Sequence, residues 1–207
     1  MCGPPAYTGI GGNLLEMNRI ARFRRPLLAV CALLVFAPAL LANAQDDDSS
    51  MSQKEIEALR DAAYIPNDRV QTFMKILNTR DQEINDLVSK PRRPGFSQDM
   101  HDLLDQFAAI ADEFNDNLDE YQSKHRDVRK SLPKLVTAIE RWSTTLRAPA
   151  DDQTYNIVRK MALDSLKDMH ETATSMETEQ AAYFKAHPDA EKLEKERSDR
   201  NHSPVPQ

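Results

Sequence analysis

Glycine all but disappears from this chain after residue 44. Of five glycines in 207 residues, Gly3, Gly9, Gly11 and Gly12 precede that point and Gly95 alone follows it. Phosphate-cradling loops, dinucleotide fingerprints, EF-hand loops and nucleophile elbows all need glycine for positive φ or for close backbone approach. None of them can be assembled from residues 45–207. Cysteine is scarcer still: Cys2 and Cys31 are the two in the chain. Beyond residue 44 there is no disulfide framework and no thiolate for zinc or iron–sulfur, so the fold must be held by packing.

The first 44 residues are of a different kind. Arg22, Arg24 and Arg25 form a positive cluster, the apolar run Leu27–Leu41 follows, and Ala42-Asn43-Ala44 ends it. A charged start, a short apolar middle and an A-x-A end are the parts of a secretory signal. The apolar run is 15 residues long and contains Pro38, short of the roughly 20 that a membrane-spanning helix needs. The sequence therefore predicts cleavage after Ala44, with Ala42 and Ala44 in the peptidase pocket and Gln45 as the new N-terminus. Met17 opens a signal of ordinary shape by itself, so residues 1–16 read as a mis-assigned start. Val30 stands before Cys31 where a lipoprotein signal wants a small residue, which argues against a lipid anchor. The expected destination is periplasmic or extracellular, in a bacterium, with no stable membrane anchor after cleavage.

From Gln45 onward there are 163 residues, enough for one domain with a real core. They carry 23 basic and 32 acidic residues, a net charge of −9. Nucleic acid is disfavoured, because phosphates attract basic surfaces.

The hydrophobic spacing is helical throughout, and no strand alternation occurs. Residues 51–64 put Ile56, Leu59 and Ala63 on one face. Pro66 is expected to stop that helix, with Asn67 or Asp68 capping the next. The stretch 69–89 aligns Val70, Phe73, Leu77, Ile84 and Leu87, and 90–96, with two prolines and Gly95, reads as a loop. A helix capped by Ser97 follows. Its stripe Met100, Leu104, Phe107, Ala111, Phe114, Leu118 and Tyr121 advances in heptad steps. Val128, Leu132, Leu135, Ile139, Trp142 and Leu146 continue in phase, with His125 on the intervening core position. Pro133 breaks or starts a helix, and Ser131 can cap one there, so a break is expected within 122–132. An antiparallel return would then lay the two stripes on each other. After a loop at 148–152, Tyr155, Val158, Ala162, Leu166, Met169, Ala173, Met176 and Tyr183 stripe a helix over 153–186.

From His187-Pro188 the apolar spacing ends and 188–207 reads as a charged, disordered tail. The expected organisation is an export signal at 1–44, one helical domain at 45–187 and that tail. The fold class is all-α: an antiparallel bundle of four or five helices with heptad-type packing.

The stretch 97–123 has an acidic face that includes Asp105, Asp112, Asp116 and Glu120. A straight helix offers a row of carboxylates, whereas calcium prefers six to eight oxygens converging from a curved loop. The face therefore reads first as solvated surface, or as a docking face for a basic partner, and the basic run Lys124–Lys134 reads as its internal counterpart. Glu-x-x-His, the signature of di-iron bundles, precedes none of His101, His125, His170 and His187, and H-E-x-x-H is missing too. Met100, Met161, Met169 and Met176 fall in apolar stripes, where methionine is ordinary filler. No catalytic set, no metal and no cofactor is expected. The reading is a non-catalytic exported bundle acting through a protein partner or self-association. The alternative is a small-molecule or metal binder with its site between helices, near His125, Trp142 and the acidic face.

Overall fold

The structure, a computed structural model, describes residues 49–202. The expected cleavage residues Ala42, Ala44 and Gln45 lie outside them. Among the described residues every regular element is helical and none is a strand: α1 (Gln53–Asp61), a 3-10 turn (Ala62–Tyr64), α2 (Pro66–Ser89), α3 (Phe96–Ser123), α4 (Leu132–Arg147), α5 (Asn156–Ala186) and α6 (Pro188–His202). No described helix is long and apolar enough to cross a membrane.

The apolar stripes predict burial well. All seven stripe positions of α3, from Met100 to Tyr121, are buried, as are Leu135, Ile139, Trp142 and Leu146 of α4. Phe96, Ala108 and Ile110 widen the stripe of α3 beyond a heptad seam, because this helix is covered from two sides. Its most extensive packing is with α5 and the next with α2.

The hydrogen bonds fix the directions. Ser97, at the start of α3, donates to Asp152 just ahead of α5 (2.7 Å). Asn115 reaches the Ser165 carbonyl (3.0 Å), and Gln122 donates to Glu179 (2.7 Å). Both helices therefore run the same way. Small buried side chains, Ala108 and Ala111 on α3 and Ala162, Ser165 and Ala173 on α5, suit a close approach, since interhelical distance follows contact size. Helix α2 runs opposite to α3: Arg69 near its start donates to Asn117 near the end of α3 (2.8 Å), and Phe73 stacks on Phe114 at 4.8 Å. Helix α4 runs with α2, joined through Asn67–Ser131, Asn78–Trp142 and Asn85–Thr145.

This arrangement corrects the expected pairing of the 97–123 and 132–147 stripes. Helices α3 and α4 do run oppositely, but they face each other across the core, where Phe107 meets Trp142 edge-on at 6.1 Å. Their side-by-side neighbours are α2 and α5.

Helix ends depart from the simplest capping rules in several places. Pro66 opens α2 instead of closing α1, sitting in the first turn where its missing N–H costs nothing. Asn67 is then free for another task. It donates to the Asp127 carbonyl (2.8 Å) and accepts from Ser131 (2.9 Å), tying α2 to the α3–α4 connection. Ser97 does not cap α3; Gly95 takes that position at φ 87°. Ser131 does stand at the N-cap of α4, but its hydroxyl is turned to Asn67. Helix α1 has a full capping box, Ser52 with Glu55.

The expected break at 122–132 is present, since α3 ends at Ser123 and α4 begins at Leu132. The stop is a Schellman motif: Arg126 N–H bonds the Tyr121 carbonyl and His125 N–H that of Gln122. His125 occupies the left-handed position, φ 48°, which glycine usually takes. It is exposed, not on a core position as its spacing suggests.

The second correction is α6. A disordered tail is the sequence expectation, yet Pro188–His202 is helical. Asp189 and Glu191 in its first turn suit the positive helix end, and the following Ala, Glu, Lys, Leu and Arg are good helix formers. With polar residues on every side, periodicity gives no sign of it.

Candidate functional site

The α3–α4 connection, the α1–α2 junction and α6 enclose a cleft of about 320 Å³ at one end of the described helices. Its floor is built from the inside outward. The apolar stripe of α5 runs Met169, Ala173, Met176 and then Gln180, an amide that is 2% exposed. Its Oε1 accepts from Val128 N–H (3.1 Å) and its Nε2 donates to the Arg126 carbonyl (2.9 Å). A connection without regular structure has backbone groups that need partners, and Gln180 supplies two of them from the core.

So held, the connection projects Arg126 and Arg129 toward α6. Arg126 Nε donates to Glu194 (3.1 Å) and Arg129 to Glu191 (2.7 Å). Arg129 also grips Asp127 with two hydrogen bonds, 3.0 and 2.8 Å, and lies over the Phe184 ring at 4.4 Å. Burial pushes the Asp127 carboxyl up, but hydrogen bonds from Arg129 outweigh it, and its pKa falls below the ordinary 3.8. The hydrogen bond to Asp127 holds the Arg129 guanidinium above its usual range, against partial desolvation. Next to the cleft, Tyr183 stacks on both His125 (3.9 Å) and His187 (4.4 Å). The cleft thus offers fixed guanidinium forks and paired carboxylates: a surface for charged side chains.

The residues singled out in the sequence are elsewhere. Asp105, Asp112, Asp116 and Glu120 are exposed along α3. Asp112 accepts from Ser165 Oγ (2.5 Å), and Glu120 pairs with Lys124 (2.6 Å). Among the described residues no group of three or more His, Cys, Asp or Glu could hold a metal ion. Trp142 is fully buried, with its indole N–H on Asn78 (2.9 Å), while His125 is exposed beside the cleft, so the two do not share a site. The basic run also divides differently from expectation: Lys124 does meet the acidic face, but Arg126 and Arg129 turn to α6 and Asp127. Two signals for the cleft were present in the sequence. One is a glutamine in phase with an apolar stripe; the other is Arg-x-x-Arg at 126–129 against Glu-x-x-Glu at 191–194.

The buried pair Arg80 and Asp81 is a separate feature. Arg80 bonds Glu55 (3.1 Å) and the Ser50 carbonyl (3.2 Å), so it ties the segment leading into α1 to α2. Asp81 lies 3.6 Å from Arg141. Both act in helix packing.

No protein-family model, no curated protein and no solved structure matches this chain.

Proposed function

We propose that this chain is an exported, non-catalytic protein that works through protein–protein contacts made at the charged end cleft. The fold behind that reading is a four-helix bundle, α2 to α5, with heptad-like stripes inside, α1 along one side and α6 at the cleft end. The single observation that carries it is the cleft itself. Arg126 and Arg129 are held in place by a buried glutamine and an aspartate, and both meet carboxylates of a polar helix. Rigid guanidinium forks, preorganised for carboxylates, are a common means of protein recognition. The acidic face of α3, with Asp105, Asp116 and Glu120 exposed, is a second surface that a basic partner would fit.

Site-specific photo-crosslinking in the native host tests this. A photoreactive residue at Lys130, which lines the cleft, should give one discrete protein adduct, and the same residue at the exposed Gln82 on α2 should not. Indistinguishable adduct patterns from the two positions would defeat the reading. A stoichiometric metal or chromophore in protein purified from the native host would favour the binder alternative.

A further inference from the structure

Helix α6 is attached in an unusual way. Its one leucine, Leu193, is 61% exposed, so it is not docked by apolar burial. Its ties to the α3–α4 connection include the Arg126–Glu194 and Arg129–Glu191 pairs, with side-chain exposures of 23% against 13% and 30% against 51%. Such contacts are polar and are screened by salt wherever they face water. The receiving surface is fixed from beneath by groups outside α6: Gln180 holds the backbone at Arg126 and Val128, and Asp127 holds the Arg129 guanidinium. A preorganised receptor whose occupant is held by polar contacts, with its leucine left in water, is the arrangement of an exchangeable ligand.

We infer that α6 is an internal stand-in for an acidic helix of a partner protein, and that the partner binds Arg126 and Arg129 by displacing α6. This rests on the end cleft being the contact surface proposed above. The stand-in shows the chemistry required. Glu191 and Glu194 are three residues apart, so they fall on one helix face a single turn apart, and each meets one arginine. The partner segment should present two carboxylates at i and i+3 on a helix. Displacement also makes α6 a regulator, because the fraction of time it spends docked reduces the partner's apparent affinity.

The probe is a labelled synthetic peptide of residues 187–202, added to the full-length chain and followed by fluorescence anisotropy. Glu191→Gln with Glu194→Gln in the chain weakens the internal occupant. If α6 is docked about nine-tenths of the time, the peptide should bind this variant about tenfold more tightly than the unaltered chain. Arg126→Gln with Arg129→Gln in the chain should abolish binding, as should the two Glu→Gln changes in the peptide. Arg126→Lys with Arg129→Lys keeps the charge but not the forks, and should bind more weakly than the arginines while melting like the unaltered chain. The inference is overturned by a peptide that binds none of these proteins, or one that binds regardless of its own glutamates. A stable dimer of the unaltered chain, lost with Glu191→Gln and Glu194→Gln, would overturn it in favour of α6 exchange between two copies. Lys130 adducts in the absence of peptide binding would leave the cleft as a contact surface and remove only the stand-in.

Discussion

Helices α5 and α6 are neighbours in sequence, separated by His187 alone, and are held by opposite physics. Helix α5 lays Val158, Ala162, Leu166, Met169, Ala173, Met176 and Phe184 into the core. Helix α6 presents Glu191 and Glu194 to two arginines and leaves its leucine in water. Burial of apolar area is non-directional and costly to undo; an ion pair is directional and, where it faces water, screened by salt. On the inference drawn above, one helix is scaffold and the other can leave without unfolding it. Gln180 marks the transition, since it lies in the stripe of α5 yet serves the connection that α6 covers.

Changes on the scaffold side should be largest. Phe107→Ala removes a fully buried ring and its edge contact with Trp142. Denaturant melts should show a loss of about 3–5 kcal/mol. A loss under about 1 kcal/mol would mean that the core does not close around α3 and α4 as described.

Gln180→Leu continues the apolar stripe but leaves Val128 N–H and the Arg126 carbonyl without that partner. Buried groups stripped of a hydrogen bond cost about 1–3 kcal/mol, so the loss should fall in that range despite the gain in hydrophobicity. Faster amide exchange at Val128 would confirm where it arises. A neutral or stabilising result would show that the connection is wet and the glutamine dispensable.

Acid should separate the two regions further. The Asp127 pKa lies below its ordinary 3.8 in the folded chain, so the unfolded chain takes up that proton more readily. The contribution of the Asp127–Arg129 pair is complete above about pH 4 and is lost as pH falls through and below that value. Asp127→Asn should flatten stability against pH on this acid limb while leaving its shape near neutrality unchanged. An unaltered acid limb in the variant would refute the assignment.

The smallest effect belongs to α6. Glu191→Gln with Glu194→Gln should lower global stability by no more than about 1 kcal/mol at low salt, and by less in 1 M sodium chloride, where screening is nearly complete. Amide exchange along 188–202 should nonetheless rise sharply, because the helix is released while the core stays folded. A cooperative loss equal to that of Phe107→Ala would make α6 part of the scaffold.

Much of the core was legible before any coordinate. In α3 the spacing of Met100, Leu104, Phe107, Ala111, Phe114, Leu118 and Tyr121 predicts a buried stripe, and all seven are buried. The end of α3 within 122–132 and the start of α4 around Pro133 followed from proline geometry and a capping serine. The acidic face was legible as a face, because helical spacing places Asp105, Asp112, Asp116 and Glu120 on the outside. The cleft was not, since the connection that carries Arg126 and Arg129 lies more than 50 residues from the groups it meets, Gln180 on α5 and Glu191 and Glu194 on α6.

What the sequence by itself determined is the set of apolar stripes and hence the all-helical class, because the 3.6-residue period is a local property of the backbone. Tertiary structure alone decided the partners. Local periodicity says that a face must be covered, but not by what. Only the joint packing of four helices placed α3 parallel to α5 and across from α4, turned His125 outward at φ 48° to end α3, and brought α6 onto two arginines. The spacing of charges does not say which opposite charges will meet, and the energy of each contact depends on what the rest of the fold places opposite it.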